Sequence, residues 1–176
     1  PEHAGAYRTV DVDAIERELD ALHRLGTVEN IYFIDDTLNI PAKRFKEMLR
    51  MMVRNNYRFQ WQCNLRCQYM DEEMAVLMKE SGCDGVFLGI ESGSDSVLKH
   101  MNKSATVAQY LKGIELLNTR GIATFGSFIA GFPGETHRTL QDTRDFIENS
   151  GIDFYRVQQW YCEPITPIWK KREQYG

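Results

Sequence analysis

Hydrophobic residues along this chain follow two alternating patterns. Four segments carry apolar residues three and four positions apart, the spacing of one helix face, a fifth is also interpreted as a helix, and five short apolar runs separate or follow them. The helical segments are VDVDAIERELDALHRLG, PAKRFKEMLRMMVRNN, DEEMAVLMKESG, TVAQYLKGIELLNTRG and HRTLQDTRDFIENSG. The apolar runs, each of strand length, are NIYFI, FQWQC, GVFLGI, ATFGSFIAG and FYRVQQWY. We interpret NIYFI as a strand buried on both faces.

Glycine ends four of the helical segments, at Gly26, Gly82, Gly121 and Gly151, each shortly before an apolar run. Glycine supplies the left-handed cap that lets the chain turn back. Successive runs begin about 30 residues apart, the length of a strand–helix–strand unit. The pattern therefore predicts an α/β fold with a parallel sheet and right-handed crossovers. Because a helix comes first, we expect an opening strand upstream of Pro1.

Polar residues follow the predicted strands directly. They are Asp35, Asp36, Asn64, Arg66, Glu91 and Ser92. A parallel sheet, whether open or closed into a barrel, binds ligands at the carboxyl ends of its strands. A buried carboxylate is costly without a partner, so three carboxylates at this edge predict a ligand with donor groups.

Structural explanations exist for each of these residues. Asp35 and Asp36 could cap a turn, and Glu91 could pair with Arg66. Lys103, in HMNK, has by itself the character of a solvated surface lysine. GFPGET could be only a turn before a helix, although its glycines permit close backbone approach to a ligand.

Composition narrows the possible functions. The formal charge is -4, without the basic patch expected of a nucleic-acid-binding protein. No signal peptide or membrane-length apolar stretch is present, so we expect a cytoplasmic protein. Four cysteines, Cys63, Cys67, Cys83 and Cys162, then argue against a disulfide framework. CNLRC lacks a third cysteine, so we expect no metal site there; Cys162, at the edge, is either packed or reactive.

The sequence resembles the radical S-adenosylmethionine (SAM) enzymes, in particular the branch whose members commonly carry a cobalamin-binding domain. The matching pieces, in the family's order and spacing, are IYFIDDTLN, QWQCNLRC, GVFLGIES, MNK, SFIAGFPGET and PITPIW. They cover nearly the whole chain, and they are specific in combination. The resemblance implies a partial (β/α) TIM-type barrel of parallel strands. Residues 1–176 would form a single domain, the major part of that core without its first strand.

The resemblance also implies a role for each residue in binding SAM. Backbone groups from Ile34 to Asp36 would take the amino group, with Asp35 or Asp36 adding a carboxylate to it or facing the substrate. Glu91, with Ser92 beside it, would bind the ribose hydroxyls. The further cofactor-binding residues are Arg66 and Lys103 at the methionine carboxylate, Asn64 next to them, and Ser127, Gly131, Trp160 and Tyr161 on the adenine side.

One hallmark of the family is missing from this sequence. Radical SAM enzymes hold a 4Fe-4S cluster on a Cys-x-x-x-Cys-x-x-Cys loop after the first strand, and this chain has no such loop. In the family, PEHAGAY would follow that loop directly. We therefore expect the cluster ligands and any cobalamin-binding domain upstream, and we expect this chain alone to hold no cluster and to be inactive.

The implied parent enzyme cleaves SAM reductively to methionine and a 5'-deoxyadenosyl radical. FIDDTLNIPAKRFKEMLRMM and QWYCEPITPIW resemble the group that includes phosphinate P-methyltransferases, which implies cobalamin-dependent methyl transfer to an unactivated carbon or phosphorus centre. Its partners would be a small-molecule substrate and an electron donor of the flavodoxin or ferredoxin type. Three alternatives stay open: a non-methylating radical SAM enzyme such as a cyclase or a C–S bond-forming enzyme, a magnesium enzyme that uses Asp35, Asp36 and Glu91 as ligands, and a plain binding module.

Overall fold

The computed structural model describes residues 9–164, 166–170 and 172–174. The strands are β1 Asn30–Phe33, β2 Gln60–Leu65, β3 Cys83–Glu91, β4 Ala123–Ala130 and β5 Phe154–Gln159. The helices are α1 Val12–Leu25, α2 Ala42–Asn55, α3 Glu72–Glu80, α4 Asp95–His100, α5 Val107–Asn118, α6 His137–Asn149 and α7 Pro167–Lys170. Two 3₁₀ turns span Cys67–Tyr69 and Arg172–Gln174. The predicted alternation of helices and strands is confirmed.

The five strands form one parallel sheet in the order β1-β2-β3-β4-β5. Each strand pairs with its neighbours in sequence, so right-handed crossovers bring the intervening helices to the same face of the sheet. A doubly wound sheet would instead reverse its strand order at a switch point. The sequential order is that of a barrel wall, and the expected partial barrel is confirmed.

The hydrophobic core lies between the sheet and its helices. Side chains alternate across a strand, and the core side of β2 and β3 and most of that of β4 is buried. Its large residues include Trp61, Leu88, Ile90 and Phe128, each 0% exposed. The Trp61 indole also donates to the carbonyl of Ser81, at the end of α3, at 2.9 Å. This packing fixes which side chains point to the opposite face.

The predicted glycine caps are confirmed. Gly26, Gly82, Gly121 and Gly151 all have φ between 63° and 96°, in the region that favours glycine. Each of them starts the turn from a helix back to the sheet. None of the helices in the described part of the chain is long and apolar enough to cross a membrane.

The prediction that the first strand is buried on both faces is wrong. Tyr32 is 50% exposed, and Ile34, just after the strand, is 82% exposed. β1 pairs only with β2 in the described part, and the helices cover just one of its faces. β5, at the other side of the sheet, is exposed at all six positions, so in the described part neither of its faces is covered. The apolar runs therefore predicted the positions of these two strands correctly, but not how exposed their side chains are.

Candidate functional site at the carboxyl edge of the sheet

The site lies on the sheet face opposite the helix-covered core, here called the inner face. Residues of this face that pair across neighbouring strands form two rows, which lie two positions apart along each strand. The first row is Asn64, Phe87, Phe125 and Phe154. The second row, closer to the carboxyl ends of the strands, is Gly89, Ser127 and Arg156. Parallel pairing thus brings residues distant in sequence onto one surface.

An ion pair between Glu91 and Lys103 lies at the carboxyl end of β3. The ammonium of Lys103 lies 2.7 Å from a Glu91 carboxylate oxygen, and both side chains are 20% exposed. Lys103 reaches this position from the turn after α4, where its backbone amide donates to the carbonyl of Leu98. Both residues were predicted from the sequence to be cofactor-binding, and the structure brings them together. The alternative that Glu91 pairs with Arg66 is wrong.

Glu91 is held in an unusual backbone conformation. Its φ is +67°, rare for a residue with a side chain, and the register of β3 against β4 shifts between Gly89 and Glu91. Such an irregularity redirects the side chain at a strand end. Backbone strain of this kind costs about 1–3 kcal/mol and is concentrated at functional sites. Glu91 therefore combines chemical and conformational marks of a binding residue.

Gly89 provides the space that this pair occupies. A Cβ atom built on Gly89 would lie 2.9 Å from Oε1 of Glu91 and 3.5 Å from Nζ of Lys103. The carboxylate therefore folds back over β3, on the inner face and directly beside the second row. The sequence analysis missed Gly89, although GVFLGIES places a glycine two positions before the glutamate, where a side chain would meet the carboxylate.

Asn64 anchors the loop that follows β1. Its side-chain amide donates to the carbonyl of Asp35 at 3.1 Å, and its side-chain oxygen accepts from the Tyr32 hydroxyl at 2.8 Å. Its backbone carbonyl accepts from the amide of Leu38. Asn64 thus positions the Ile34–Asp36 backbone in addition to lying at the predicted site.

The carboxylates of Asp35 and Asp36 are exposed, unlike the buried pair that the sequence suggested. Water solvates them, so the expectation that burial forces a ligand on them is wrong. No group of three or more His, Cys, Asp or Glu residues in the described ranges could hold a metal ion. The magnesium alternative, which needs Asp35, Asp36 and Glu91 together, gains no support from this arrangement.

The backbone of Arg66 is fixed while its side chain stays exposed. Asn39, which is 0% exposed, donates to the carbonyl of Arg66 at 2.9 Å and accepts from its amide at 3.1 Å. The Arg66 guanidinium has no hydrogen-bond or ion-pair partner within the described ranges. A cation at the edge therefore remains available to an anionic ligand. Asn39 was missed because a buried asparagine after a strand has no local sequence signature.

Ser92 has a structural role. It is fully buried, its hydroxyl lies 3.1 Å from that of Thr143 in α6, and it accepts from the backbone amide of Ser94. The amide of Gly93 also donates to Thr143. These bonds attach α6 to the end of β3 behind Glu91. The predicted contact between Ser92 and a cofactor gains no support from this geometry.

The residues expected on the adenine side lie along the β4 and β5 ends. Ser127 is 5% exposed in the second row, beside Gly89. Gly131 follows β4 with φ +87° and open space where a side chain would be, and its amide donates to the Glu135 carboxylate. Tyr161 follows β5 and is 74% exposed. All of them lie toward the same edge as Glu91.

The cysteines of the described part are poor iron ligands. Cys63, Cys67 and Cys83 are buried, and burial raises the pKa of each thiol, that of Cys67 to about 12. An iron ligand must be a thiolate that the metal can reach, and burial makes each of these thiols both harder to reach and more costly to ionise. Cys162 is partly exposed, and all four cysteines are free. They do not form the ligand set of a cluster.

Comparison with known proteins identifies the family of this chain. The family model described as the radical SAM superfamily matches residues 1–147. An uncharacterized methyltransferase of Pyrococcus horikoshii is 30% identical over 93% of this chain and 36% of its own length. An anaerobic magnesium-protoporphyrin IX monomethyl ester cyclase of Rubrivivax gelatinosus is 30% identical over 94% of this chain and 30% of its own length.

A solved structure shares the fold. It is the radical SAM methyltransferase TsrM of Kitasatospora setae with cobalamin and a 4Fe-4S cluster bound, with a TM-score of 0.81 over 90% of this chain and 32% of that one, at 22% identity. The chain belongs to the radical SAM superfamily. Members of this family use SAM and a 4Fe-4S cluster. The chain spans about a third of the length of the curated relatives it matches.

Proposed function

We propose that this chain is the SAM-binding part of a radical SAM enzyme that cleaves SAM reductively. The observation that carries the proposal is the Glu91–Lys103 pair over Gly89, placed at the carboxyl edge of a partial barrel. This edge is where parallel α/β barrels bind their ligands. The pair supplies both a carboxylate and a cation to a ligand that itself carries hydroxyl donors and a carboxylate.

The residues at the edge fit the parts of SAM. The Glu91 carboxylate accepts from the ribose hydroxyls, and Lys103 and Arg66 bind the methionine carboxylate through charge-assisted hydrogen bonds. The Ile34–Asp36 backbone, held by Asn64, takes the amino group. Ser127, Gly131 and Tyr161 border the adenine. Without ligand, Glu91 and Lys103 satisfy each other; with SAM, each gains the group that it binds.

The cluster ligands belong, on this proposal, to a part of the enzyme outside this chain. The support is the chemistry of the described cysteines, three of which are buried thiols with raised pKa values. When bound, the cluster supplies the electron that cleaves SAM. The parent enzyme would take that electron from a flavodoxin- or ferredoxin-type donor in the cytoplasm.

The reaction of the parent enzyme is, we infer, cobalamin-dependent methyl transfer to an unactivated carbon or phosphorus centre of a small molecule. The methyltransferase name of the Pyrococcus relative and the likeness to TsrM favour methyl transfer. The cyclase relative, at the same identity, favours the non-methylating alternative. Methyl transfer from methylcobalamin, tested on the parent enzyme, separates the two.

Calorimetry with S-adenosylhomocysteine, a stable SAM analogue, tests the binding role of the chain. Glu91→Gln and Lys103→Met should each weaken binding about 10- to 100-fold, because a hydrogen bond to a charged group contributes roughly 1.5–3 kcal/mol. Lys46→Met is the matched control, since Lys46 is similarly buried and paired with Asp71 and Glu73 on the helices. Unchanged affinity in both edge variants, with folding intact, would refute the proposal.

A further inference from the structure

Arg156 presents an unneutralised cation on the inner face of the sheet. It lies on β5 in the second row, next to Ser127. Its Nε donates to the Ser127 hydroxyl at 3.3 Å, and its guanidinium carbon lies 4.9 Å from the centre of the Phe87 ring. The serine hydroxyl and the aromatic ring position the guanidinium, and neither of them neutralises its charge.

No carboxylate pairs with Arg156 within the described ranges. The Glu91 carboxylate, one position further toward the carboxyl edge, is already paired with Lys103 at 2.7 Å. A guanidinium has five N–H donors, and only Nε has a partner in the described part of the chain. The remaining donors form the planar fork that matches the two oxygens of a carboxylate or a phosphorus oxyacid.

An apolar cavity lies on the other side of Phe87, the ring that carries the Arg156 guanidinium, toward the amino ends of the strands. It has a volume of about 290 Å³, and aromatic residues of the first row line it, including Phe87, Phe125 and Phe154. Phe87 and Phe125 stack with their centroids 5.4 Å apart, and Phe87 also carries the Arg156 guanidinium. Tyr32 and Gln62 add polar groups at the far side. An oxyanion attached to an apolar body in this cavity reaches Arg156 by extending past the Phe87 ring toward the carboxyl ends of the strands.

We propose that Arg156 binds the oxyanion of an acidic substrate, a carboxylate, phosphonate or phosphinate, whose apolar part occupies the aromatic cavity. This inference rests on the proposed function and narrows its substrate class. The methionine carboxylate of SAM carries the same chemistry and is the other source of such a group. On the proposed function, Lys103 and Arg66 serve that carboxylate at the edge, whereas Arg156 lies one row deeper, over the Phe87 ring that lines the cavity.

The test compares an acidic probe with its neutral analogue. Phenylpropionate and phenylpropionamide are titrated into the chain by NMR, with S-adenosylhomocysteine present and absent, and phenylphosphonate serves as a second anion. We expect both anions to bind at least about tenfold more tightly than the amide. Arg156→Gln should abolish that preference, and Arg156→Lys should restore part of it. Arg144→Gln, on the solvent side of α6, is the matched control.

Each outcome decides the proposal. Equal binding of anion and amide, no binding of either anion, or anion binding unchanged in Arg156→Gln would overturn it. A loss of S-adenosylhomocysteine affinity in Arg156→Gln without loss of the anion preference would assign Arg156 to SAM instead. If the unaltered chain binds the anions but not S-adenosylhomocysteine, the proposed function fails while the anion site stands.

Discussion

At the scale of single residues, the absence of a side chain at Gly89 decides the geometry of the site. A Cβ there would lie 2.9 Å from the Glu91 carboxylate, closer than real Cβ contacts. Gly89→Ala should therefore displace the Glu91–Lys103 pair and weaken S-adenosylhomocysteine binding about tenfold, as measured by calorimetry. The free energy of unfolding of the Gly89→Ala variant should fall by no more than about 1–3 kcal/mol, the usual range for an inserted methyl group.

Gly85→Ala, on the same strand, is the matched control for that binding measurement. Its new Cβ would meet its nearest neighbour, the Ala123 carbonyl, at 3.6 Å, an ordinary contact. The affinity for S-adenosylhomocysteine should stay unchanged. Equal affinities for the two alanine variants and the original chain would show that the carboxylate tolerates displacement and that Gly89 has no positioning role.

The sequence identified most residues of this edge but few of their partners. Glu91, Lys103, Asn64 and Arg66 were predicted because they follow strands or match a family motif. The pairing of Glu91 with Lys103 depends on a φ of +67° and a register shift, neither of which leaves a local pattern. Arg156, inside a strand, was not singled out, because its neighbours come from β3 and β4.

At the scale of elements, α5 packs on the 3₁₀ turn Cys67–Tyr69 through a glycine. A Cβ on Gly113 would overlap the carbonyl oxygen of Cys67 and lie 2.9 Å from its Cβ. In an isolated helix Gly→Ala is stabilising by about 1 kcal/mol. Here the backbone overlap should dominate, and Gly113→Ala should lower the free energy of unfolding in urea by about 2 kcal/mol.

Lys112→Ala, at the neighbouring exposed position, is the control for Gly113→Ala, because it also introduces alanine into α5 but does not touch the packed face. It should change the free energy of unfolding by less than about 0.5 kcal/mol, as surface substitutions usually do. An increase in stability for Gly113→Ala would mean that helix propensity outweighs the contact and that α5 can shift away from the turn.

The periodicity of the sequence predicts long elements and misses short ones. Four of the five long helices show repeated apolar spacing, whereas α4, Asp95–His100, is too short to show a period. That helix matters, because the turn after it delivers Lys103 to Glu91. The sequence did not reveal the exposure of β1 and β5 either, because apolar composition does not distinguish a central strand from an edge strand with one or both faces uncovered.

At the scale of the whole molecule, the proposed function separates the SAM-binding edge of this chain from the cluster that would act on SAM. Polar groups from four strand ends and the turn after α4 converge there. Iron–sulfur clusters need several thiolates at one place. In the described part, three cysteines are buried thiols with raised pKa values, and no metal-binding group forms.

Anaerobic reconstitution with iron and sulfide should therefore leave this chain without a stoichiometric cluster, whereas we expect the same chain to bind S-adenosylhomocysteine. Iron and acid-labile sulfide per chain, together with the visible spectrum, measure the outcome. Cys162→Ala is the control, because Cys162 is the least buried of the four thiols and the first to take up adventitious iron. About four irons per chain, retained in Cys162→Ala, would contradict the prediction and would require buried thiols to open and ionise.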